Sequence, residues 1–134
     1  MDHSAYSQWV EQKVNELLHS KIKNDNDYDI EVIREYLIFS QNSNTGEALI
    51  DFFKVNNNDD RLCKVVIEIL LDESEDYSND ARYAAAKIIP IFNPNILKKY
   101  KKQLLYAQSY KLRSLRPFSD SNIPSWLDGE SAGE

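Results

Sequence analysis

The run Asp25, Asn26, Asp27, Tyr28, Asp29 sets three carboxylates at alternate positions, as the opening of an oxygen-liganded calcium loop would. Such a loop needs glycine at its sixth position for a sharp turn and glutamate at its twelfth for bidentate ligation. Here those positions hold Ile30 and Tyr36, so the run reads as a polar loop whose last acid, Asp29, caps a helix. Glu68 and Asp72 stand four apart and share one helical face, the spacing of a carboxylate pair. With no third group beside them they read as two solvated acids near a helix end. Cys63 sits between apolar neighbours Leu62 and Val66, which suits a buried thiol and not a nucleophile. The two histidines, His3 and His19, fall near the chain start and late in a first helix. No serine–histidine–acid set, zinc-binding histidine pair or phosphate-binding glycine loop is present. The expectation is a non-enzyme with no catalytic residue, no cofactor and no metal site.

The elements that must position these residues follow from length and pattern. A chain of 134 residues is large enough for one hydrophobic core. Three glycines and four prolines are too few for a turn-rich β-sandwich and suit helices joined by polar loops. One cysteine rules out an internal disulfide framework. No apolar run reaches the length of a membrane span, and the acidic amphipathic N-terminus lacks the form of a signal peptide, so a cytoplasmic location is expected. Twelve asparagines, twelve isoleucines and a lysine excess over arginine resemble the product of an AT-rich coding sequence, a compositional hint of bacterial or phage-like origin.

Apolar spacing predicts six helices. The first spans about 4–23, with Tyr6, Trp9, Val10, Val14, Leu17, Leu18 and Ile22 along one stripe. Asp29 caps a second, to about Gln41, with Ile30, Ile33, Leu37 and Ile38 inward. Asn44 or Thr45 caps a third, holding Ala48, Leu49, Phe52 and Phe53, and the run Asn56, Asn57, Asn58 ends it. Asp59 opens the fourth, whose Leu62, Val65, Val66, Ile69 and Leu70 form the cleanest stripe. Asp80 or Ser78 starts the fifth, with Ala81, Ala84, Ala85, Ile88 and Ile89 inward and Pro90 stopping it. Asn93 and Pro94 open the sixth, to about Tyr110. The expected organisation is one helical domain over 1–118 and an irregular tail over 119–134.

Asp80, Arg82, Ala84, Ala85, Ala86, Ile88 and Ile89 together resemble the second helix of a HEAT repeat. In that family an acid caps the helix, an arginine two residues on bonds to the neighbouring repeat, and small residues let helices approach closely. Asp59, Asp60 and Arg61 give a weaker echo, so the resemblance covers residues 59–92. It implies an all-α stack of hairpins offset by about 35 residues, as in helical repeat arrays. The alternative is an irregular all-α bundle.

Charge is divided along the chain. Residues 1–80 hold eighteen acids and seven bases; residues 81–119 hold nine bases and no acid; residues 120–134 hold four acids and no base. The net charge of −6 therefore conceals a dipolar molecule. The acids cluster as Asp25, Asp27 and Asp29, as Asp59 and Asp60, and as Asp72, Glu73, Glu75 and Asp76. These loops are the candidate face for a basic protein partner, because clustered charge raises association rate and specificity. In stacked hairpins the 25–29 and 59–60 loops share one edge and the 72–76 loop lies on the other. Trp126, an aromatic in a segment without periodicity, either folds back or anchors a partner. Lys98, Lys99, Lys101, Lys102, Lys111, Arg113 and Arg116 interleave with Tyr100, Tyr106 and Tyr110, which would suit nucleic acid. A sequence pI near 4.9 opposes that reading.

By size, acidity and helical build the chain resembles bacterial immunity proteins, which neutralise one toxin by covering its active site. That resemblance is one of type, with no motif matched residue by residue. It implies a non-catalytic inhibitor of a basic toxin domain, such as a nuclease. The alternatives are a HEAT-like adaptor in a cellular complex and, less favoured, a nucleic-acid-binding module using 98–116.

Overall fold

Asp29 and Asp59 each begin a helix as the sequence requires. In both, the side-chain oxygen accepts from the second and third amides onward, at 3.0 and 3.3 Å. Each such cap contributes about 1 kcal/mol by satisfying donors that a helix start leaves unpaired. The computed structural model describes residues 3–19, 21–24, 27–42, 46–74 and 79–127. Within them the chain is all-α. Its helices are α1 (His3–Leu18), α2 (Ile30–Ser40), α3 (Glu47–Val55), α4 (Asp60–Leu70), α5 (Asp80–Ile88), α6 (Pro94–Leu97) and α7 (Lys101–Gln108). Two-residue strands β1 (Lys23–Asn24) and β2 (Asp27–Tyr28) pair antiparallel.

The strongest helix pairings are α4 with α5, α2 with α5 and α2 with α3. α2 also touches α1 and α4, while α4 reaches β2, α6 and α7. The packing is that of a bundle built around α2, α4 and α5. α2 and α5 pair although α3 and α4 stand between them in the chain. Alanines make it possible: Ala81, Ala84, Ala85 and Ala86 are all buried, so α5 fits between two helices that carry the bulk. That bulk is Ile33, Tyr36 and Leu37 from α2 and Leu62, Val66, Ile69 and Leu70 from α4.

Several boundaries differ from the sequence pattern. α1 ends at Leu18, short of residue 23, because Ile22 accepts the amide of Asp29 at 2.8 Å and leads into the β1–β2 ladder. The end of α1 is closed by a residue that the stripe of α2 did not include. Buried Tyr36 donates its hydroxyl to the Leu17 carbonyl at 2.9 Å. Ile30, expected inward, is 37% exposed, and Ala48 lies on the exposed face of α3. Gly46, not Asn44 or Thr45, stands at the N-cap position of α3; those two fall outside the described residues. A side chain at Gly46 would collide with the carbonyl oxygens of Ser40 and Asn42, the latter 2.6 Å from its Cβ. Pro90 turns the end of α5 into a 3-10 turn over Ile89–Ile91. The expected sixth helix is broken into α6 and α7 by a 3-10 turn at Lys98–Tyr100.

The chain after α7 is irregular but not detached. Leu115, Phe118 and Leu127 are buried. The Phe118 amide donates to the Gln108 side chain at 2.8 Å, and Arg116 Nε donates to the Tyr110 carbonyl at 2.8 Å. Trp126 is half-buried and meets Phe118 edge to face at 6.1 Å. The Asn56–Asn58 run does more than end α3. The Asn57 carbonyl accepts the Asn93 amide at 3.0 Å, and Asn93 Nδ2 donates to Asn58 Oδ1 at 2.6 Å.

Two backbone constraints can be tested. Asn79 precedes α5 in the left-handed region, at φ 61°, where L-residues pay about 1–2 kcal/mol. Asn79→Gly and Asn79→Ala both remove the Oδ1 that accepts from Arg82 at 3.4 Å, so Asn79→Ala should lie about 1 kcal/mol below Asn79→Gly, read from urea midpoints. Ala85→Leu should cost about 1–3 kcal/mol by forcing α5 away from its neighbours.

Candidate functional site

The Asp27–Tyr28 strand lies against the start of α4, and this brings two acidic clusters together as one edge. Tyr28 donates its hydroxyl to Asp59 Oδ2 at 2.6 Å. Asp59 thus caps α4 with one oxygen and receives a phenol with the other. Asp27 pairs with Arg61 at 2.7 Å across the exposed side of the same edge. From the far side, Tyr100 donates to Asp60 Oδ1 at 2.7 Å. Between these groups runs a groove of about 700 Å³, walled by Tyr28 and Tyr100 and holding the carboxylates of Asp27, Asp60 and Glu68. Arg61 and Lys64 also line it, so its charge is patterned. Glu68 is exposed and makes no hydrogen bond or ion pair with a described residue.

Both phenols are held protonated well above the ordinary tyrosine range. Burial is the larger cause for each, followed by the hydrogen bond to Asp59 for Tyr28 and to Asp60 for Tyr100. They act as fixed donors that aim the carboxylates.

The third acidic cluster lies at the other end of α4, roughly 16 Å away along an 11-residue helix. Asp72 meets Arg34 at 3.4 Å, and its carboxyl is held below the usual range chiefly by the Ser74 hydroxyl and amide. Glu73 Oε2 accepts from Tyr106 at 2.6 Å and from Tyr110 at 3.1 Å. These two phenols, themselves in edge-to-face contact at 5.5 Å, hold the Glu73 carboxyl below the usual range. Behind them lies Arg82, 6% exposed. Its Nε donates to the Leu70 carbonyl at 2.8 Å, and its guanidinium stands 5.1 Å from the centre of the Tyr110 ring. Arg82 therefore ties α5 to the end of α4.

The candidate acids divide as follows. Asp27 and Asp60 line the groove, Asp59 is bonded to the Tyr28 that walls it, and Asp29 caps α2. Asp72 and Glu73 form a separate group, and Asp25, Glu75 and Asp76 fall outside the described residues. Trp126 belongs to neither group; it packs on Phe118 and lines an apolar cleft. Cys63 is fully buried in α4, and burial pushes its thiol up to about 12. Among the described residues no three acids, histidines or cysteines converge to hold a metal ion, and no helix is long and apolar enough to cross a membrane.

The pattern of acids and bases did not reveal the tyrosines. Tyr100, Tyr106 and Tyr110 interleave with lysines in the sequence, but in the fold their hydroxyls face carboxylates of the acidic half. The acidic and basic halves meet through phenols here. Lys98, Lys99, Lys102 and Lys111 are exposed and make no ion pair with a described residue.

A titration tests the Glu73 contact. A carboxylate whose folded pKa is depressed stabilises the fold above its unfolded pKa, about 4.3 for glutamate. That contribution is lost as pH falls through the lower folded value. Carbon-detected NMR should place Glu73 below the ordinary glutamate value, and the double variant Tyr106→Phe/Tyr110→Phe should return it towards that value. An unmoved midpoint would show that the phenols do not hold the carboxylate.

No protein-family model matches the chain, and neither a curated protein nor a solved structure matches it.

Proposed function

We propose that the protein is a non-catalytic binding protein that neutralises a basic partner, as an immunity protein does its cognate toxin. The supporting observation is the groove at the start of α4, where Asp60 and Glu68 face open space between two phenol walls. The Asp60 carboxylate, aimed in advance by Tyr100, needs little rearrangement to receive a lysine or arginine side chain. Eighteen acids in the first eighty residues supply a field that draws such a partner from a distance. Arg61 and Lys64 in the same groove would reject partners that bring bases alone, which is a basis for choosing one toxin over others. A nuclease domain, basic where it meets nucleic acid, has the required chemistry.

The test begins with a pull-down from the native host, using the protein as bait. One stoichiometric basic protein is the expected catch. With that partner in hand, Asp60→Lys/Glu68→Lys should lower the association rate at least tenfold, and raising salt should do the same to the parent as the Debye length shrinks below about 8 Å. Reversal at Asp72 and Glu73 measures whether the second acidic group joins the contact. Recovery of a housekeeping complex would favour an adaptor instead. Nuclease-sensitive retention of nucleic acid would shift attention to Lys98, Lys99 and Lys102.

A further inference from the structure

Leu105, Tyr106 and Leu112 are large apolar side chains that the fold leaves exposed, and they fall close together in the chain. They stand where acids are missing, since residues 81–119 hold nine bases and no acid. α7 turns Leu104 and Ala107 inward and leaves Lys102, Leu105 and Tyr106 outward. Residues three and four apart are neighbours on a helix, so Lys102 lies beside both Leu105 and Tyr106. Lys98 and Lys99, exposed in the preceding 3-10 turn, and Lys111 and Leu112, exposed just past the helix, flank this face. Lys98, Lys99, Lys102 and Lys111 make no ion pair with a described residue. The nearby acids are already engaged. Glu73 accepts from Tyr106 and Tyr110, and Asp120 meets Arg113 and Arg116.

A partner for this face must satisfy the lysines and the leucines together. An anionic bilayer does both. Leucines pass between headgroups to the acyl boundary, lysine stems follow them, and the ammonium groups stay at the lipid phosphates. Nucleic acid would satisfy the lysines alone, because a bound strand is held by phosphate contacts and by open aromatic faces on which bases stack. The tyrosines here are otherwise committed. Tyr106 and Tyr110 meet edge to face at 5.5 Å with both hydroxyls on Glu73, and half-buried Tyr100 donates to Asp60. None of the exposed lysines or leucines of this face lines the acidic groove or the apolar cleft at Trp126. The net charge of −6 does not forbid the contact, since charges act over about 8 Å at physiological salt and a surface responds to the lysines nearest it.

From this complementarity we infer that the outward face of α7, with its flanking lysines and Leu112, is a peripheral docking surface for a bilayer rich in anionic lipid. The contact is with one leaflet; no helix among the described residues is long and apolar enough to cross. It stands on residues outside the acidic groove and does not rest on the reading of that groove.

The test is flotation of the full chain with vesicles of phosphatidylcholine alone and with vesicles holding about 30% phosphatidylglycerol. Binding to the anionic vesicles should exceed binding to the neutral ones by about tenfold or more, and should fall as salt is raised. Lys98→Gln/Lys99→Gln/Lys102→Gln/Lys111→Gln should abolish that preference. Leu105→Gln/Leu112→Gln leaves every charge in place and should still weaken binding by about tenfold, because the acyl boundary rewards buried apolar area. Both leucines are exposed, so the variant should keep the fold, which its amide NMR spectrum checks. If it does not, the lysine variant and the salt series still decide the matter. Equal binding to neutral vesicles, no binding to anionic ones, or undiminished binding by the folded leucine variant would overturn the inference. So would a DNA or RNA oligonucleotide that binds the parent and the leucine variant alike and displaces the parent from vesicles, which would assign the lysines to nucleic acid.

Discussion

The closeness of α5 to both α2 and α4 is the constraint on which the rest of the structure depends. It exists because four alanines on α5 offer no bulk, and because Arg82, which stands among them, folds down to the end of α4. A charged residue this deeply buried normally costs stability unless its donors are occupied. Here Leu70, Asn79 and the Tyr110 ring occupy them. With α5 in place the two heavier helices are set, the β1–β2 ladder has α4 to lean on, and the 3-10 turn at Arg113–Leu115 packs behind α5. The groove lies where it does because α4 starts there.

Those parts of the fold written in local chemistry were legible in the sequence. Asp29, Asp59 and Asn93 cap the helices that their positions announce, the α5 stripe is buried throughout, and the α4 stripe is buried except at Val65, with Ile67 buried outside it. A cap and a stripe are decided within one or two turns, so neighbouring residues suffice to reveal them. What could not be read depends on partners far away in the chain. Ile22 has the right spacing for α1, but the amide of Asp29 takes its carbonyl. Tyr36 faces inward because the end of α1 needs a donor. The asparagine run looked like a simple break, and it ties residues 56–58 to 91–93.

The candidate site shows the same division. Clustering of acids was visible, and the shared edge expected of stacked hairpins is found where Asp27 and Tyr28 meet Asp59 and Arg61. The role of the phenols was not. Nothing local marks Tyr28 or Tyr100 as a donor to a carboxylate 31 or 40 residues distant. The consequence for the electrostatics is considerable. Direct ion pairs would cancel charge on both sides, whereas a neutral phenol orients a carboxylate and leaves its charge in place. Asp59, Asp60 and Glu73 are thus oriented without being neutralised, whereas Asp27 and Asp72 each meet an arginine.

Cys63 carries a consequence of a different kind. It is the only thiol in the chain, it is fully enclosed in the central helix, and its surroundings disfavour the thiolate. In the folded state an alkylating reagent meets neither an accessible sulfur nor a reactive one. Reaction must wait for α4 to come free of α5, so in the limit of fast reclosing the labelling rate becomes the intrinsic rate of an open thiol multiplied by the population of the opened core. The chain thus has a built-in reporter of its rarest excursions, readable under native conditions and without any substitution.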